Sequence, residues 1–217
     1  MRHHLRLPFI VALGLALCPS IQADDGTTAK ADVARIAEKA GLGSWDAVTV
    51  IKFTIQVDRD GKQEKRTWTW GPKSHQVTLE EAGQEPVTYN RSNLTDGVQK
   101  FDGQFVNDER WLLLPFHLVW DAGTTLTKSP ESEPAPISGE PMSMLTIAYP
   151  QVGGDSYDVF YDDAYVVQGI HFSAGPSAMV TTWENVKAFE GLQLSLDRNM
   201  PSGDKITFTD VYVKTVE

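Results

Sequence analysis

The stretch Asn107 to Asp121, NDERWLLLPFHLVWD, constrains this chain more than any other part of it. It places Trp111, Leu112, Leu113, Leu114, Phe116, Leu118, Val119 and Trp120 within ten consecutive positions. A bilayer span takes about 20 apolar residues, so the run is too short to cross one. Pro115 interrupts it, because proline has no N–H and its ring clashes with the preceding turn. The expectation is one or two short helical turns broken at Pro115. Their apolar surface must be covered, either by an ordinary core or by lining a cavity.

The first residues read as a secretory signal, residues 1–23. Arg2 and Arg6 give a positive start, Phe9 to Leu17 an apolar centre, and Ser20-Ile21-Gln22-Ala23 a cleavage site. Cys18 is the single cysteine, and Leu17 before it is too large for a lipid-attachment motif. After cleavage no thiol remains for a disulfide, a metal or a nucleophile, so the core alone must hold the fold. Residues 24–217 suit one domain, with 17 basic residues against 29 acidic. Such an acidic balance argues against nucleic acid and anionic membrane surfaces as partners. It suits a soluble, periplasmic or secreted protein with no integral membrane segment, expected to be a monomer.

Ala29 to Ala40 has helical spacing at Val33, Ile36, Ala37 and Ala40, and Gly41 stops it. From Val48 onward the chain reads as a meander of strands. Ile51, Phe53, Ile55 and Val57 alternate with polar residues, and Asp58-Arg59-Asp60-Gly61 is a hairpin turn. Asp96 to Asp108 reads as polar and irregular, and Ser129 to Pro141 as an exposed loop. Further strands follow at Met142 to Tyr149, Tyr157 to Asp162, Tyr165 to Phe172, Ser177 to Val186, Leu192 to Leu196 and Lys205 to Lys214. In the last of these the apolar phase shifts between Phe208 and Val211, which predicts a β-bulge near Thr209-Asp210. Tyr157, Val159 and Tyr161 share one face while Phe160 sits on the other. Aromatics on both faces suit a sheet curled around an interior.

No catalytic or metal signature accompanies this pattern. His75, His117 and His171 lack histidine or cysteine neighbours at ligand spacing, and HExxH, HxH and CxxC are absent. GxSxG and GxxxxGK[ST] are absent too. Asp158, Asp162 and Asp163 read as solvated surface carboxylates. No catalytic residue, metal ligand or cofactor is assigned, and the chain is read as a non-enzyme. The aromatics remain. Trp68, Trp70, Trp111, Phe116, Trp120, Tyr149, Phe160, Phe172 and Trp183 are the candidate ligand-binding residues, since large rings supply apolar area.

The order of motifs resembles a known superfamily. A helix ending near Gly41-Leu42-Gly43 precedes Trp45-Asp46-Ala47-Val48, then Trp68-x-Trp70-x-Pro72-Lys73, then the Asn107–Asp121 block. This is similar to exported proteins of the lipoprotein-carrier-like (LolA-like) superfamily, and to a family within it that carries the same block. The resemblance implies a mainly β fold with a few helices. Its curved antiparallel sheet, an incomplete β-barrel, would be closed by an N-terminal helix and short central helices around an apolar cavity. In the carriers that cavity takes acyl chains. No position here matches the carriers' functional basic residue, so the ligand carries over only as an analogy. The function expected is an exported binding protein holding an apolar or amphipathic ligand, a lipid or a lipidated partner. The alternative is an envelope structural or interaction protein with a filled core and no ligand; an enzyme comes third.

Overall fold

The computed structural model describes residues 27–151 and 154–216. The expected signal peptide and Cys18 lie outside the described residues. Helix α1, Thr27–Lys39, buries Ala29, Val33, Ile36 and Ala37 at the expected spacing. Gly41 ends it with φ +99. The Ala40 carbonyl then accepts from the Gln193 N–H at 2.8 Å, so the end of α1 is tied to distant backbone. A 3-10 turn, Leu42–Ala47, leads into the sheet.

The first antiparallel sheet begins with β1 (Val48–Arg59), β2 (Lys62–Gly71), β3 (Gln76–Glu80) and β4 (Val87–Asn90). Asp60 and Gly61 both have positive φ, and Arg59 pairs with Lys62 across them. That is the two-residue primed turn whose twist suits a hairpin. Helix α2, Gln99–Trp120, follows. The second sheet holds β5 (Thr125–Lys128), β6 (Glu133–Pro134), β7 (Pro141–Tyr149), β8 (Asp155–Tyr161), β9 (Val167–Ala174) and β10 (Ser177–Thr182). The chain then returns to the first sheet with β11 (Glu184–Phe189), β12 (Leu192–Asn199) and β13 (Lys205–Thr215). The first sheet runs β11-β12-β13-β1-β2-β3-β4, and the second β10-β9-β8-β7-β5 with β6 on β7.

The segment expected as one strand from Ser177 to Val186 is thus a strand bent at Trp183. Its first half, β10, pairs with β9, and its second half, β11, pairs with β12. The bend joins the sheets. The Trp183 N–H donates to the Gln168 carbonyl at 2.9 Å, the Thr181 hydroxyl to the Asn199 carbonyl, and the Asn199 N–H to the Thr182 hydroxyl. The two sheets form one curved path from β4 round to β5, an incomplete barrel that does not close.

The bulge expected in the last strand is present. Lys52 pairs with Tyr212 but Thr54 with Thr209, and Asp210 takes φ +52. A second irregularity is not visible in the sequence. Phe160 pairs with Gly169 but Tyr161 with Val167, which leaves Gln168 unpaired and turns Val167 onto the core face beside Ile170.

The central segment corrects two expectations. From Gln99 onward, the stretch read as irregular, Asp96 to Asp108, and the stretch read as short helical turns form one helical run, Gln99–Trp120, with a kink at Leu113. Phe101, Phe105, Leu112 and Phe116 fall at helical spacing, and their burial against the first sheet outweighs Gly103 and the polar residues between them. Pro115 does not end the helix. It kinks it, with Leu113 displaced to φ −112 and ψ 15. The segment Ser129 to Pro141, read as an exposed loop, contributes β6 and buries Ala135.

Helix α2 runs between the two sheets and packs on both. Phe105, Leu112, Leu113 and Phe116 join Ile51, Phe53, Trp68 and Phe208 in one core. Leu114 and Leu118, with Val33 and Ile36 of α1, join Ile147, Val159 and Ile170 in the other. Trp111 contacts both.

Candidate functional site

The Asn107–Asp121 block can be read residue by residue. Asp108 is almost fully buried and receives the Arg66 guanidinium at 2.8 Å and the Trp68 indole N–H at 2.9 Å. The block is thereby bonded to β2. Pro115 has no N–H to give the Trp111 carbonyl one turn earlier. Arg198 of β12 supplies that donor, Nη2 to O at 2.6 Å. Past the kink, Asp121 accepts from Arg110 and from the Tyr149 hydroxyl, both at 2.7 Å, which ties α2 to β7. His117 spans the kink, with Nε2 at 3.0 Å from a Glu109 oxygen and Nδ1 at 3.0 Å from Asp121. Burial by itself would push the His117 pKa down; hydrogen bonds to Asp121 and Glu109 override it and raise the pKa above 6.5. Burial would raise Asp121, but His117, Tyr149 and Arg110 together hold it well below the usual carboxylate range. Helix α1 is tied down in the same manner, through buried Asp32, which receives Lys128 at 2.5 Å and the Tyr161 hydroxyl at 2.7 Å.

The space directly under α2 is filled by rings. Phe105 meets Trp68 and Trp70 at centroid distances of 5.4 and 5.5 Å. Trp45 meets Trp120 at 4.5 Å and Phe116 at 5.6 Å. Open space lies instead beside the kink, where the sheets part. There β9 and β11 splay from the bend at Trp183, and a cleft of about 480 Å³ runs in toward Pro115. Its apolar wall includes Ile36, Ala40, Pro115, Val167, Trp183 and Val186. A second, more open cleft of about 620 Å³ lies at the opposite end of β9 and β10, walled by Phe172, Met179 and Met200.

The nine candidate residues are not brought to one place. Trp183 lines the first cleft and Phe172 the second. Trp68, Trp70 and Phe116 belong to the filled core, with Trp111 and Trp120 packed against it. Tyr149 stands in a row with Tyr157 and Phe172, at ring distances of 5.9 and 4.6 Å. Phe160 is buried on the face of β8 opposite to Val159 and Tyr161, turned away from the helices and set across from Gly169.

Sequence reasoning missed Arg198. It is fully buried, stacks on Trp183 with its guanidinium carbon 3.2 Å from the ring centroid, and donates to Ser195, to two backbone carbonyls of β12 and to Trp111. Among the described residues it makes no ion pair, and its Nε has no partner. Burial pulls its pKa well below the ordinary arginine value against the opposing charges of Asp197 and Glu184. Its only signal was an arginine between Leu196 and Ile206 in an otherwise strand-like run. The described residues also align Asp158, His171 and Ser173, with His171 Nδ1 3.1 Å from Asp158 and Nε2 3.5 Å from Ser173. The latter distance is long for proton transfer from a nucleophile. The three side chains also lie on the outer, solvent side of the second sheet, outside both clefts. Among the described residues no cluster of three or more metal-binding side chains occurs, and no helix is long and apolar enough to cross a membrane.

The fold and its cleft define a class: an incomplete antiparallel barrel, spanned by a kinked helix, with an apolar recess at its seam. The chain is similar to a LolA superfamily protein from Nitrosomonas europaea (TM-score 0.47, 11% identity, 85% of this chain and 94% of that one). It is also similar to a DUF1329 family protein from Desulfovibrio piger (TM-score 0.45, 8% identity, 85% of this chain and 92% of that one). No protein-family model matches the sequence, and no curated protein matches it.

Proposed function

We propose that the protein is an exported carrier that holds the apolar chain of an amphipathic ligand in the cleft beside Pro115. The single observation behind this reading is the cleft itself, about 480 Å³ in volume and walled by Ile36, Ala40, Pro115, Val167, Trp183 and Val186. Clefts of about 300–1,000 Å³ with apolar walls and a few polar groups are the usual ligand sites. Each methylene buried there contributes about 0.8 kcal/mol. About ten methylenes would then supply the 8 kcal/mol of micromolar affinity, before association costs. The many bonds from α2 to both sheets make it a strut, so the ligand enters at the seam rather than by lifting the helix. The sequence resemblance to lipoprotein carriers agrees with an export role and a lipid-like cargo.

A second reading draws on the filled core under α2: an envelope protein that binds other macromolecules and carries no small ligand. Native mass spectrometry of protein purified from its own envelope separates the two. The carrier reading expects a bound species of lipid mass, released on activation. A bare-chain mass from gently prepared samples, with no binding of added acyl chains, would favour the second reading.

A further inference from the structure

In a chain with 29 acidic and 19 basic residues, the one charged side chain lining the seam cleft is a cation. Of its lining residues, Lys39 alone carries a charge, and no carboxylate faces it. The ammonium of Lys39 has no hydrogen bond or ion pair among the described residues, unlike Arg35 one turn earlier, which is engaged by Tyr165 and Asp32. The other polar liners are Gln193, Ser195 and Tyr165, an amide and two hydroxyls, of which the Tyr165 hydroxyl already accepts from Arg35. Ser195 is bonded to Arg198, and Trp183, the ring on which Arg198 stacks, forms cleft wall as well. Arg198 is fully buried without a carboxylate in contact. Asp197 and Glu184 act on it only through space, their carboxylates accepting from Asn185 at 2.8 Å and Asn199 at 2.7 Å. A buried cation without a contacting counter-charge projects positive potential into the adjoining low-dielectric space.

We infer that the seam cleft selects amphiphiles with an acidic head, a carboxylate or a phosphate monoester, whose head lies at Lys39 and Gln193 while its chain follows Pro115 and Trp183. This rests on the carrier reading and names its ligand class. Lys39 supplies the direct contact at the mouth, and Arg198 acts through the Trp183–Ser195 wall as a fixed positive charge. The overall negative charge of the chain would otherwise disfavour such ligands at its surface.

Isothermal titration calorimetry with palmitate, hexadecyl phosphate and monopalmitoylglycerol tests this on the delipidated full-length mature chain. Both acids are expected to bind about tenfold more tightly than the neutral glyceride, as one charge-assisted contact gives. The tighter of the two acids identifies the head. The exposed site of Lys39 permits Lys39→Gln and Lys39→Glu without loss of fold, checked by circular dichroism. Lys39→Gln should remove most of the acid preference and Lys39→Glu should reverse it. Equal affinity for all three ligands, or a preference untouched by Lys39→Glu, overturns the inference and leaves the carrier reading standing. Absence of binding by all three overturns both.

Discussion

Arg198 donates to the carbonyl of Trp111 that Pro115 leaves without its helical partner, at 2.6 Å. One residue on β12 thus completes the kink of a helix far away in sequence, and Pro115 at that kink lines the recess at the seam. Arg198→Met should cost about 2–4 kcal/mol, because it strands the Trp111 and Ser195 acceptors in a dry interior. Pro115→Ala restores an N–H to the Trp111 carbonyl, so the double variant should be less destabilised than the sum by about 1 kcal/mol. Urea unfolding of the four proteins measures this; strict additivity would refute the link.

Asp108 is the second anchor of the helix. Asp108→Ala leaves the largely buried Arg66 without its main partner and the Trp68 N–H unpaired, so a loss of about 3–5 kcal/mol is expected. Trp68→Phe removes only one of those bonds and should cost about 1 kcal/mol beyond any packing change. Similar losses from the two variants, by the same unfolding assay, would show that the ion pair contributes little.

The His117 network makes stability depend on pH in a defined direction. The folded pKa of His117 lies above 6.5, so its contribution is fully present below 6.5 and is lost as pH rises through the folded value. Asp121 is held below its ordinary 3.8, so its contribution is present above 3.8 and lost as pH falls. Stability should therefore be greatest between these limits and decline above about 6.5. In His117→Gln the decline on the alkaline side should be shallower. A wild-type melting temperature that rises with pH above 6.5, or an unchanged slope in the variant, would contradict the assignment.

Gly41 joins α1 to the rest of the molecule. A Cβ there would lie 2.2 Å from the Gly191 carbonyl oxygen, and the backbone sits at φ +99. Gly41→Ala should cost about 2 kcal/mol or more, since left-handed geometry alone costs an L-residue about 1–2. Thermal unfolding would show it. A variant as stable as the parent would mean that α1 is free to shift.

The sequence made the fold legible where local pattern and tertiary role agree. Alternation revealed β1, the phase shift between Phe208 and Val211 revealed the bulge, and Gly41 revealed the end of α1. It misled where burial overrode local preference. Gly103 and the acids around it hid the first half of α2, although Phe101, Phe105 and Leu112 had helical spacing. The bend at Trp183 was invisible because β10 and β11 are continuous in sequence and differ only in partner. The aromatic block pointed to the helix that spans the two sheets. Its rings fill the core, and the recess is formed mainly by small and aliphatic residues that come together only in three dimensions. Arg198 could not be ranked among the surface cations without knowing that Pro115 frees an acceptor opposite it.

The central claim is that an apolar chain occupies the recess between Pro115 and Trp183. Bromine quenches tryptophan only at close range, so an octadecanoate dibrominated at mid-chain reports where the ligand lies. Saturable quenching is expected in the parent protein and should largely disappear in Trp183→Phe, with affinity retained by calorimetry. Quenching that is absent, or that persists undiminished in Trp183→Phe, would contradict the claim.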